Sequence, residues 1–125
     1  MNEGINKIGV YGKMIGGLCR VYQITDDEMG KMLGLGDGQS AEVVSLKSGA
    51  SAVNKDVRER VDLLNEIFGS IRTIVDQEAV PAFIRESAIN ARKIIDILCT
   101  GNEGQLRQLY HVDLHRLTGG RWSTR

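Results

Sequence analysis

A single apolar stripe from Val57 to Val75 most constrains what this chain can fold into. Val57, Val61, Leu64, Ile67, Phe68, Ile71, Ile74 and Val75 recur at spacings of three and four, with Arg58, Glu59, Asp62, Glu66 and Arg72 between them. That is the period of one helix face. Asn54 or Ser51 can cap the segment, Lys55 and Asp56 open it, and neither Pro nor Gly interrupts before Gly69. Each large side chain contributes about 1.5 to 3 kcal/mol only when buried, so the stripe needs other segments to cover it. A chain of 125 residues, 42% of them hydrophobic, can supply that cover in one compact domain or in two subdomains sharing a core.

Charge and composition exclude several classes. Sixteen basic and sixteen acidic residues cancel, removing the strong positive field that marks the simplest nucleic-acid binders. No apolar run approaches the roughly 20 residues that cross a bilayer, and the N-terminus lacks the basic-then-apolar pattern of a signal peptide. No membrane partner is expected, and the cytoplasm is the expected compartment. Cys19 and Cys99 match no metal-ligand spacing and read as free buried thiols.

Ile5, Ile8, Val10, Tyr11, Met14, Ile15, Leu18, Cys19 and Tyr22 give a first helix, whose Gly9, Gly12, Gly16 and Gly17 weaken it unless they let another helix approach closely. No strand precedes these glycines and neither GxGxxG nor GxxxxGK[ST] is present, so they do not read as a nucleotide loop. No cofactor is expected. Thr25 with Glu28 forms a capping box, and Asp26 and Asp27 add negative charge at the positive helix end. A short helix through Met29, Met32 and Leu33 stops at Gly34. After a glycine-rich turn, Ser40 is the expected cap of a second short helix reaching Gly49.

Residues 24–49, ITDDEMGKMLGLGDGQSAEVVSLKSG, resemble the Xre-type helix-turn-helix. Glu28-Met29-Gly30 and Leu33-Gly34-Leu35 stand for its first helix and turn, and Val44 to Gly49 for the end of its second helix. The resemblance implies DNA contacts from Gln39, Ser40, Ser45, Lys47 and Ser48, beside an unhelpful Glu42. A helical hairpin kept for packing or dimer formation uses the same residues.

Farther on, Pro81 opens a short helix with Phe83 and Ile84, and Asn90 is the expected cap of a segment carrying Ile94, Ile95, Ile97 and Leu98. Asn102 and Glu103 begin a last helix through Leu106, Leu109, Tyr110, Leu114 and Leu117. The string KIIDILCTGNEGQLRQLY resembles the toxin-binding domain of the Xre/MbcA/ParS antitoxin family. Ile95-Asp96-Ile97-Leu98 matches its leucine-aspartate-leucine-leucine step, Thr100-Gly101 its short turn and Leu106 to Tyr110 its final helix. Asn90 to Ile94 replaces the family's glycine-rich step and proline. With the helix-turn-helix, the resemblance spans Ile24 to Leu117. It implies an antitoxin that docks on a cognate toxin consuming or modifying NAD, closes its active site and represses its own operon by binding operator DNA.

Asp96, set among apolar residues, needs partners: either the backbone of Thr100 to Asn102 or a docking protein. Arg116, Arg121 and Trp122 are of residue types enriched at interface hot spots and are candidate partner contacts. His111 and His115 lie four apart on the last helix, but the flanking residues do not form a metalloprotease pattern, and no metal or catalytic set is assigned. The expected fold is all-α: residues 5–50 form the helix-turn-helix part, 51–118 the central helix and toxin-binding-like part, and 119–125 a tail. A homodimer is expected from the apolar surface of the first helix and the long stripe. The alternative is a helix-turn-helix regulator acting on DNA without a toxin.

Overall fold

The computed structural model describes residues 2–117, with side chains from Gly9 onward. The chain is all-α apart from one small hairpin. Its helices are α1 (Asn2–Tyr22), α2 (Asp26–Met32), α3 (Ser40–Ser48), α4 (Lys55–Ile71), α5 (Val80–Glu86), α6 (Ile94–Leu98) and α7 (Glu103–Gln108). A 3-10 turn (Gln77–Ala79) precedes α5, and a π-helical segment (Leu109–Leu114) continues α7. No helix among the described residues is long and apolar enough to cross a membrane.

The stripe on α4 is the centre of the core. Val57, Val61, Leu64, Ile67, Phe68 and Ile71 are buried, with Leu63 beside them. They join Ile15, Leu18 and Tyr22 of α1, Met29 and Met32 of α2, Val43 and Leu46 of α3, and side chains of α5 to the C-terminal helix in one continuous cluster. The Tyr22 and Phe68 rings stack at 4.4 Å. Asn54 caps α4, its Oδ1 accepting from the Val57 amide at 2.9 Å. The helix ends at Ile71, short of the expected Val75. The Thr73 hydroxyl donates to the Ser70 carbonyl at 2.6 Å and the amide of Thr73 bonds the same oxygen. The last turn therefore tightens to i→i+3, and Ile74 and Val75 cover the core from outside the helix.

Sequence-local caps set the other boundaries. The Thr25–Glu28 capping box is formed in both directions. Gly34, at φ +80°, ends α2 with paired bonds from Gly34 N to Lys31 O and Leu35 N to Gly30 O, a Schellman motif. Ser40 is not the cap of α3: Gln39 holds that position and Ser40 is already helical. Asn90 is not a cap either. Ala88–Ile89 and Arg92–Lys93 form a two-stranded antiparallel hairpin, β1 and β2, with Asn90 and Ala91 at its turn.

Gly12 shows why α1 tolerates glycine. A Cβ there would stand 2.7 Å from the Leu46 carbonyl oxygen, so α1 crosses the end of α3 at backbone contact.

Candidate partner-binding faces

The first candidate face is α3 with the turn before it. Gln39, Ser40 and Ser48 are exposed, whereas Ser45 and Lys47 are half-buried. The Ser48 hydroxyl donates to the Ser45 carbonyl at 3.1 Å, and Lys47 Nζ sits 2.6 Å from Asp26 Oδ1 across the α2–α3 packing. Lys31, the other lysine of this pair of helices, lies 3.5 Å from Asp27 and 3.7 Å from Asp37. Residues 25–50 carry five acidic side chains and two basic ones, a net charge of −3. Both cations that would meet phosphate are thus engaged by aspartates of the same segment.

The second face is built around α6. Ile94, Ile95, Ile97 and Leu98 are buried, but Asp96 between them is exposed. This corrects the premise that its carboxylate lies inside the apolar cluster. Nor does Asp96 cap the following turn. The Thr100 hydroxyl donates to Ile97 O at 2.7 Å and accepts from the Asn102 amide at 3.2 Å, while Asn102 Oδ1 accepts from Gln105 N at 2.9 Å. Among the described residues Asp96 has no hydrogen bond or ion pair. A groove of about 340 Å³ lies between the hairpin and the last helix, lined by Asn90, Arg92, Gln105, Gln108 and Asp113 over Ile89 and Ile97. Arg92 donates to Gln105 Oε1 at 2.9 Å across it. Arg116 is exposed on the last helix. Arg121 and Trp122 lie outside the described residues. His111 is exposed, its ring edge-on to Tyr110 at 4.8 Å, and His115 is exposed.

Two contacts that motif reading missed bind these faces together. Arg85 on α5 reaches back to the α1–α2 corner, donating from Nη1 to Glu28 Oε2 at 2.8 Å and from Nη2 to Glu28 Oε1 and Gln23 O, both at 2.9 Å. That fork, with the Thr25 bonds and against the cost of partial burial, pulls the Glu28 carboxyl down to about 2. The second contact is the Thr100-Gly101 turn pressed on the end of α2. A Cβ at Gly101 would overlap the Lys31 carbonyl oxygen and approach Gly34 Cα at 2.8 Å. Arg60 of α4 locks this meeting point by donating to Gly101 O at 2.9 Å. Gly101 itself was visible in the sequence as a turn. Arg60 and Arg85 were hidden because their partners lie 41 and 57 residues away.

The two thiols are free. Burial pushes both Cys19 and Cys99 up to about 11, so they stay protonated at neutral pH and are weak nucleophiles. Comparisons with models of known protein families, with curated proteins and with solved structures each found no match.

Proposed function

We propose that this chain is an antitoxin-like protein that binds and neutralises a cognate toxin through the surface around α6 and the C-terminal helix. The observation that carries the reading is the Asp96 carboxylate, exposed between buried isoleucines and unpaired among the described residues. It is an exposed charge on the outer side of α6, free to meet a docking partner. The order of parts resembling the Xre/MbcA/ParS family supports the choice of a toxin as partner, with Arg116, Arg121 and Trp122 as further contacts. Autorepression through α2 and α3 is a secondary activity in this reading, because the net charge of −3 there and the two engaged lysines disfavour phosphate contacts.

The test is co-expression. The protein encoded next to this chain arrests growth when produced alone, and growth returns when the two are produced together; Asp96→Arg removes the rescue while the variant remains folded. Unchanged rescue by Asp96→Arg would discard the assigned surface. A regulator acting on DNA without a toxin is the second reading, favoured by the exposure of Ser40 and Ser48 on α3 and of Gln39 at its cap. It requires operator binding that weakens steeply with salt.

A further inference from the structure

The hairpin and the last helix form the two walls of the groove of about 340 Å³. Ile89 and Arg92 are directly opposed in the register of β1 and β2, so their side chains share one hairpin face, and both line the groove. Ala88 and Lys93 fall on the other face. On the helix wall Gln105 and Gln108 stand three residues apart on one side. Asp113 follows five residues after Gln108. In an α-helix that step would turn it well away from the two glutamines, but the π-helical turns of Leu109–Leu114 bring residues five apart back into line. Leu109 and Leu114 use the same step to stay buried together. Such segments are rare and concentrate at functional sites; here the result is a carboxylate in the groove wall.

We propose that this groove binds an extended peptide segment of a partner, which sets an acidic side chain against Arg92 and a basic one against Asp113. Neither charge has an opposite charge to meet. Arg92 donates only to the neutral Gln105 Oε1, at 2.9 Å, and half-buried Asp113 makes no hydrogen bond or ion pair among the described residues. Neighbouring charges do not satisfy them: Glu103 and Arg107 hold each other at 2.7 Å, and neither they nor Lys93, Asp96 and Arg116 line the groove.

Carboxamides fill most of the remaining polar lining, from Asn90, Asn102, Gln105 and Gln108. Each can donate and accept at once, the match for a main chain that presents N–H and C=O in alternation. Ile89 and Ile97 give the floor an apolar strip for an intervening side chain. A free small ligand needs walls on most sides, whereas this groove is open to solvent and suits a chain crossing it. The chemistry assigned to the partner rests on the docking role given above to α6 and the C-terminal helix.

The probes are capped alanine–glycine peptides carrying one arginine and one glutamate, in both orders and at several separations. They are titrated into the isotope-labelled full chain and followed by NMR through the side-chain amide signals. The signals of Asn90, Gln105 and Gln108 are expected to shift saturably. Asp113→Asn removes a carboxylate with no internal partner, so helical circular dichroism is kept, and binding weakens about fivefold. Replacing the peptide's arginine by glutamine gives a similar loss against the wild type and none against Asp113→Asn, the coupling expected of a direct pair. The proposal is overturned if the groove carboxamides do not shift or shift as much with free arginine and glutamate. It is overturned equally if the loss in Asp113→Asn is the same whether or not the peptide carries arginine. No toxin enters the titration and Asp96 is untouched, so this result and the Asp96→Arg rescue fail independently.

Discussion

Gly101 and Ala91 both adopt left-handed backbone, at φ +60° and +68°, and the two positions respond oppositely to substitution. At Gly101 the space for a Cβ is occupied by the Lys31 carbonyl and Gly34, so Gly101→Ala combines backbone strain with a collision between main chains. A loss of about 2 to 4 kcal/mol in denaturant unfolding is expected. At Ala91 the hairpin turn asks for positive φ at both central residues, a geometry that Asn-Gly satisfies best. Ala91→Gly should therefore stabilise the fold by about 1 kcal/mol, since relief of the left-handed alanine outweighs the added freedom of the unfolded chain. Destabilisation on Ala91→Gly would show that the turn is not strained.

At the scale of elements, the bond from Arg85 to Glu28 ties α5 to the start of α2, and its pH dependence follows from the depressed carboxyl. Because the folded value is about 2 and the ordinary one is 4.5, this contribution is fully present above about pH 4.5. It is lost progressively as pH falls toward 2. Thermal unfolding of the wild type should weaken over that window, and Glu28→Gln should flatten that part of the profile while lowering stability at pH 7. Glu28→Ala, which also removes the capping box, is expected to lose about 2 kcal/mol at pH 7 after allowance for the partial exposure of the pair.

Element boundaries were legible wherever a cap is encoded by adjacent residues, as at Thr25 with Glu28, Asn54, Gly34, Gly49 and Asn102. The end of α4 escaped because the Thr73 hydroxyl, not the apolar period, decides where the helix tightens. The hairpin escaped because its strands are two residues each and its turn is Asn-Ala rather than Asn-Gly. Asp96 was misplaced for a different reason: on a five-residue helix a single position can face outward while both neighbours are buried.

The whole molecule is neutral, but its charge is unevenly distributed. Residues 25–50 carry a net −3, while residues 104–125 hold four arginines against Asp113 alone, a net +3. An acidic α2–α3 segment is a poor match for phosphate, and a basic C-terminal end suits an acidic protein surface. Under the proposed function, this asymmetry assigns protein docking to the C-terminal end and leaves α2 and α3 a minor part in any DNA contact. The direct measurement is recovery of the tagged full-length chain from its native cell, with its companions identified by mass spectrometry and the complex assayed for DNA. The account predicts a stoichiometric protein partner encoded beside the chain, retained without DNA and lost in the Asp96→Arg variant. Recovery of DNA with no protein partner would contradict it.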